Sequence, residues 1–264
     1  MPASLDTSPL LQLDALSVGY ADHPIVTGFS TDIARQTVTS LIGGNGAGKS
    51  TLLKSLFGLT RHFSGSIRYR GDEIQRLSPA ERLARGIGIV PQGRCNFPMM
   101  SVAENLEMGA YTLPLERARP ARAQVLELFP LLKPKLRQLA GNLSGGEQQI
   151  LETAMVLQSE PELLLLDEPS LGLAPIMQDE VFENVDRLRQ AGVTIVMAEQ
   201  NVYGSLLISD RAIVLDLGRK FMEGAAGAVM SDPRIRTAFL GGEPEGEPDP
   251  QGEFVERNAG QALQ

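Results

Sequence analysis

Residues 43 to 51 read Gly43-Gly44-Asn45-Gly46-Ala47-Gly48-Lys49-Ser50-Thr51, a Gly, four residues, Gly, Lys, Ser/Thr pattern that few folds can carry. Before it runs Thr37-Val38-Thr39-Ser40-Leu41-Ile42, β-branched and apolar enough for a buried strand. After it Thr51 to Phe57 repeats apolar residues at helical spacing. Strand, glycine-rich loop and helix in that order make a phosphate cradle: Gly43, Gly46 and Gly48 let backbone N–H groups turn inward around phosphate oxygens, at the positive end of the following helix. Lys49 is then expected to reach the β- and γ-phosphates of a nucleotide, Ser50 to offer its hydroxyl to Mg²⁺, and Thr51 to stand as a structural neighbour. Without its flanks the stretch would be a glycine-rich turn with an incidental lysine.

The rest of the composition bounds the setting. The 264 residues suit one large α/β unit with a subdivision, against a prior of about 150 residues per domain. Apolar residues make up 42% and charged residues 21%, enough to bury a sizeable core. A net charge of −8 without a dense Lys/Arg run disfavours a non-specific phosphate-backbone binder, so nucleic acid is not an expected partner. Cys95 is the single cysteine, which excludes an internal disulfide and suits a reducing, cytoplasmic setting. Neither a basic, apolar N-terminal leader nor a run of about 18 apolar residues occurs, so membrane association is expected only through a partner.

Along the chain, Leu11 to Val18, ending at Gly19-Tyr20, Ile25 to Arg35 and Thr37 to Ile42 read as strands of an N-terminal β lobe, with turns or bulges near Gly28 and Gln36. Gly65 to Gly71 is a short alternating strand. Ser78-Pro79-Ala80-Glu81 has the spacing of a capping box, and Gly86 to Val90 is a buried strand stopped by Pro91. Helices are expected over Val102 to Met108, Arg119 to Leu132 and Gly146 to about Ser159. Glu162-Leu163-Leu164-Leu165-Leu166 is a continuous apolar strand of the kind buried on both faces of a parallel sheet. Helix 176–190, strand 193–198, helix 202–208 and strand 211–215 continue the α/β alternation of a mostly parallel sheet. From Gly241 onward the sequence is rich in Pro, Gly and acid, and residues 243–264 are expected to be a disordered, acidic, dispensable tail.

Asp167 closes the all-leucine strand, at the carboxyl end where open α/β sheets place their ligands, and is expected to hold Mg²⁺ directly or through water. Glu168, projecting differently, is the candidate base that orients or deprotonates the water attacking the γ-phosphate. The bland alternative is a pair of acids solvating a strand end. Ser144-Gly145-Gly146-Glu147 reads by itself as a helix N-cap, and its N–H groups with the helix dipole make a second anion site.

Leu143-Ser144-Gly145-Gly146-Glu147-Gln148-Gln149, together with the phosphate loop and the paired acids, resembles the signature motif of ATP-binding-cassette ATPases. The resemblance covers about residues 10 to 242. It implies a P-loop NTPase cassette of α/β class, with a mostly parallel central sheet, an N-terminal antiparallel β lobe and a helical subdomain inserted over about residues 93–160. It further implies that ATP bound at 43–51 of one subunit is met by Ser144, Gly145 and Gly146 of a second. Tyr20 is similar to the aromatic that stacks on adenine, although a tyrosine after a strand is often simple packing. Gln92 resembles the loop glutamine that contacts Mg²⁺ and the attacking water; otherwise it is a surface turn residue.

Gln200, in Ala198-Glu199-Gln200-Asn201, stands where most cassettes carry a histidine for the γ-phosphate, and His23 and His62 lie elsewhere. Ala174 stands where many carry an aspartate in the dimer-contact loop. With Val90-Pro91-Gln92-Gly93-Arg94, Glu104-Asn105-Leu106 and Asp232-Pro233-Arg234-Ile235-Arg236, these departures resemble the LivF-type ATP-binding subunits of branched-chain amino acid importers; the urea-importer ATPases share most of the motifs. Such membership implies a cytoplasmic cassette dimer, homomeric or with a second ATPase subunit, on the inner face of the membrane. There it would drive a permease fed by a periplasmic binding protein. Met155 departs from the pattern where relatives usually carry an arginine, which puts a salt bridge on that helix in doubt. A cassette ATPase that moves no solute is disfavoured by the short chain between Lys49 and Leu143, and a P-loop kinase or GTPase by residues 143–149.

Overall fold

The computed structural model describes residues 8–239; the expected tail, 243–264, lies outside the described residues. The chain opens with β1 (Leu11–Tyr20), β2 (His23–Ile33) and β3 (Val38–Ile42), then α1 (Lys49–Phe57), β4 (Arg61–Tyr69), β5 (Asp72–Glu73), α2 (Pro79–Ala84) and β6 (Ile87–Val90). A helical stretch follows with α3 (Val102–Gly109), α4 (Leu115–Leu128) and α5 (Gly145–Leu157). The α/β alternation then resumes with β7 (Leu163–Asp167), α6 (Pro175–Gln190), β8 (Thr194–Ala198), α7 (Val202–Ile208), β9 (Arg211–Asp216) and β10 (Arg219–Ala225), closing with α8 (Ala226–Ser231) and α9 (Pro233–Phe239).

Two sheets result. An antiparallel one runs β2-β1-β4-β5, and a six-stranded one runs β10-β9-β3-β8-β7-β6, parallel except for β10. Successive side chains of a strand point to opposite faces, and both faces of β7 are buried, which is why its first four residues are all leucine. Leu163 and Leu165 enter the core between the two sheets, around α1, while Leu164 and Leu166 enter the core under α5 and α6. A third cluster joins β9 to α7, α8 and α9 through Ala212, Val214, Val202, Val229 and Ile235.

Several elements differ from the sequence expectation for local reasons. The strand expected over Gly65 to Gly71 starts earlier, at Arg61, because residues 61–64 pair with Ser17–Gly19 of β1. The helix expected from Arg119 starts at Leu115, where Pro114 accepts from the N–H groups of Arg117 and Ala118. Pro120 removes one internal bond, yet the helix continues because Ala121 and Val125 bury its inner face. It stops at Leu128 because Pro130 pushes Phe129 to φ −122°, ψ 72°, and a short 3₁₀ turn occupies Pro130–Lys135. The elements after β9 were not read from the sequence: β10 is a half-buried edge strand carrying Arg219, Lys220 and Glu223, without clear alternation.

Candidate functional site

β3 delivers the chain to Gly43, where an added Cβ would stand 2.2 Å from the Leu215 carbonyl oxygen of β9, so the loop can leave the sheet here only without a side chain. At the far end Gly48, with φ +101°, is the N-cap of α1, a backbone state that glycine adopts without cost. The loop is pinned from behind: Gly218 N–H donates to Ala47 O (3.0 Å) and Thr27 N–H to Gly218 O (2.9 Å). Lys49 is buried, its Nζ donating to Gly43 O (2.8 Å) and Gly44 O (3.2 Å). Burial lowers its pKa, and Glu168, Asp167 and Glu199 oppose that fall through their charges.

Asp167, at the end of β7, accepts from Ser50 Oγ on Oδ1 (2.6 Å). Its Oδ2 accepts no hydrogen bond and is balanced by the Lys54 ammonium at 3.3 Å. Lys54 was not singled out in the sequence, although its spacing held the signal: residues i and i+4 of a helix share a face, so Ser50 and Lys54 both turn toward β7. Glu168 has φ +53°, a left-handed state unusual for a side-chain-bearing residue, held by its N–H donating to Ala198 O (2.8 Å). Its carboxylate accepts from Gln92 Nε2 (2.8 Å). Burial raises the pKa of Glu168, Lys49 opposes that rise, and Asp167 adds to it.

Gln200 Nε2 donates to Asn45 Oδ1 (2.5 Å), placing the residue at the histidine position on the phosphate loop. Tyr20, 46% exposed, lines a cleft of about 310 Å³ with Ile25, Asn45 to Thr51 and Glu168. Tyr20, residues 45–51 and Glu168 thus line one cleft, to which Asp167, Gln92 and Gln200 are joined by hydrogen bonds to Ser50, Glu168 and Asn45. Ser144 to Gly146 are not in that group. Gly145 borders a neighbouring cleft of about 440 Å³ with Gln92, Arg94, Gln149, Leu171 and Leu173, and Glu168 lines both. Ser144 caps its own helix in a capping box with Glu147, and Glu147 also pairs with Lys135.

The loop that bears Gln92 is strapped to α5. Glu152, buried, accepts from Cys95 N (3.0 Å), Asn96 N (3.3 Å) and Asn96 Nδ2 (2.7 Å). Met155 is partly buried and packs against the core under α5, and its backbone lies so close to α3 that a Cβ on Gly109 would meet Met155 O at 2.5 Å.

A phosphate loop after β3 of a mostly parallel sheet, with paired acids at the end of β7 one strand beyond β8, defines a P-loop nucleotide-binding protein. The comparisons narrow the class. The family model described as "ABC transporter" matches residues 26–171. The high-affinity branched-chain amino acid transport ATP-binding protein BraG of Pseudomonas aeruginosa is 43% identical over 88% of this chain and all of its own length. The probable branched-chain amino acid transport ATP-binding protein LivF of Archaeoglobus fulgidus is 36% identical over 88% of this chain and 99% of its own. Among solved structures, the ADP conformation of an ATP-binding cassette of an ABC transporter superposes with a TM-score of 0.80 at 27% identity, covering 89% of this chain and 100% of that one. This chain belongs to the ATP-binding subunits of ABC transporters, and it is an ATPase. None of its described helices is long and apolar enough to cross a membrane.

Proposed function

We propose that this chain hydrolyses ATP, with Mg²⁺, as one cassette of an importer dimer that takes up branched-chain amino acids or related small solutes. The observation that carries the reading is the placement of Glu168 between the two clefts, beside Asp167 and hydrogen-bonded to Gln92. The similarity to BraG and LivF supports the choice of solute. The donor set fits the ion: Ser50 and Asp167 offer hard oxygens, and Asp167 Oδ2 still has hydrogen-bonding capacity unused. Mg²⁺ held by Ser50 and Asp167 would offset the negative charge of the triphosphate.

The residues then divide the work. Gly43 to Thr51 and Lys49 hold the triphosphate, Tyr20 stacks on the adenine, and Gln92 and Gln200 fix the attacking water and the γ-phosphate. Glu168 accepts the water's proton. The partner cassette closes the site with its own Ser144-Gly145-Gly146 turn, in which Ser144 N–H is held by Glu147 and the N–H groups of Gly145 and Gly146 at the start of α5 serve the anion. We assign residues 10–242 to the cassette and 93–160 to its helical subdomain, followed by the tail 243–264. The subdomain exposes Met99, Tyr111 and Leu115 at 83%, 82% and 76%. These exposed apolar side chains are suited to a permease on the inner side of the membrane, with the periplasmic binding protein acting beyond it.

Glu168→Gln tests the reading. The variant binds ATP, does not turn it over, and sediments as a dimer with ATP in Mg²⁺-free or Mg²⁺-containing buffer. Hydrolysis near the wild-type rate removes Glu168 as base. Uptake of radiolabelled leucine, urea and short amides by the reconstituted complex identifies the solute.

A further inference from the structure

Glu199 lies one residue beyond β8, 1% exposed, and has no place in the division of labour above. Its carboxylate faces donors only. Oε1 accepts from Ser170 N (3.0 Å), while Oε2 accepts from Ser170 Oγ (2.9 Å), Gln200 N (3.1 Å) and Asn201 N (3.4 Å). Ser170 belongs to the loop after β7, and Gln200 and Asn201 to the loop after β8, so one acceptor-only side chain ties the two loops together. A second strap joins the same loops: Asn201 Nδ2 donates to Gln178 Oε1 (2.8 Å), and Gln178 Nε2 donates to Leu173 O (3.1 Å). Between the straps the backbone of Gln200 is fixed, and its side chain leaves toward Asn45.

We propose that Glu199 is a positioning residue for Gln200, clamping it to the 170–174 loop so that the two shift as one piece when a second cassette presses on that loop. The proposal rests on the reading of Gln200 as the γ-phosphate contact. It follows from the chemistry of a neutral amide. Gln200 has no charge to act at a distance, so its effect depends on hydrogen-bond length and angle, which fall off steeply with misplacement. A carboxylate is the side chain that can hold this clamp, because glutamine presents a single acceptor oxygen and an NH₂ group that repels the donors of Ser170 and Gln200.

A double-mutant cycle on the full chain separates positioning from plain structural support. Single-turnover hydrolysis and ATP binding are measured for wild type, Glu199→Gln, Gln200→Ala and the pair. Glu199→Gln is expected to slow hydrolysis about tenfold with ATP affinity held within about twofold, and to cost less than about twofold once Gln200 is already alanine. Ser170→Ala, which leaves the carboxylate in place, gives a smaller loss that is likewise absorbed in the Gln200→Ala background, and it serves if Glu199→Gln does not fold. A full tenfold loss in both backgrounds overturns the proposal while leaving Gln200 its role. A Gln200→Ala chain as fast as wild type overturns both.

Discussion

Lys49 is the single side-chain cation inside the phosphate loop, and its ammonium is turned onto the carbonyls of Gly43 and Gly44. A triphosphate offers charged acceptors in place of neutral ones, so the ammonium gains a direct attraction between opposite charges. Lys49→Ala should therefore weaken binding of a fluorescent ATP analogue by at least about tenfold, roughly 1.4 kcal/mol. Unchanged affinity would show that the triphosphate does not sit on Lys49. Among the side chains that act later, steady-state turnover should rank wild type above Gln200→Ala and Gln200→Ala above Glu168→Gln, because an amide cannot take a proton near neutral pH and a carboxylate can. At this scale the sequence carried the residues whose type and spacing are set by phosphate chemistry. Lys54 was signalled only by its four-residue spacing from Ser50, and Glu199 not at all, because its importance depends on Ser170, distant in the chain and brought near by the fold.

Among the elements, α1 sets the direction of the phosphate loop, and its last turn is held from below. Arg82, 2% exposed, donates to Ser55 O (2.6 Å), Leu56 O (2.9 Å) and Leu77 O (3.2 Å), a cation at the negative end of the helix dipole. Burial brings its pKa down to about 10. Arg82→Met should cost about 2 kcal/mol in urea unfolding, as expected when buried carbonyls lose charged donors. Gly109→Ala should cost about 1–3 kcal/mol, since the new methyl would overlap the Met155 backbone and push α3 from α5.

The N-terminus of α5 gives a pH test. The Lys135 ammonium, and after it the Ser144 bonds, hold the Glu147 carboxyl below its ordinary 4.5. A lowered folded-state value means stability present above the ordinary carboxylate range and lost as pH falls through the lowered value. The stability gap between wild type and Glu147→Gln should accordingly be open at pH 7 and close under strong acid. The element pattern was legible where burial was two-sided, as in the leucines of β7, or where a cap was written locally, as at Ser78 and Ser144. It was illegible in β10, α8 and α9. β10 carries charged residues at the sheet edge and takes its form from pairing with β9, while α8 and α9 are fixed by packing a few small or apolar side chains on β9.

For the whole molecule, the two clefts that share Glu168 sit beside the Gln92 loop, and that loop continues through Phe97 and Asn105 into the exposed apolar face around α3. Phe97 N donates to Asn105 Oδ1 (2.7 Å), and Asn105 Nδ2 returns to Phe97 O (3.0 Å). A charge on that face should uncouple transport from hydrolysis. Tyr111→Asp with Leu115→Asp should leave the ATPase rate of the isolated chain near wild type and abolish co-purification with the permease subunits, as read on a detergent-solubilised complex.

The left-handed backbone of Glu168 bears on how this protein would respond to selection for heat resistance. Holding a side-chain-bearing residue in that region costs about 1–2 kcal/mol, and glycine or asparagine meets the same geometry more cheaply. In a chain of this length about 1 kcal/mol moves a melting temperature by roughly 2–4 °C. A library screened only for survival on heating should thus enrich Gly or Asn at position 168, yielding chains that outlast the parent and still close around ATP, yet have lost the turnover the original residue supplied.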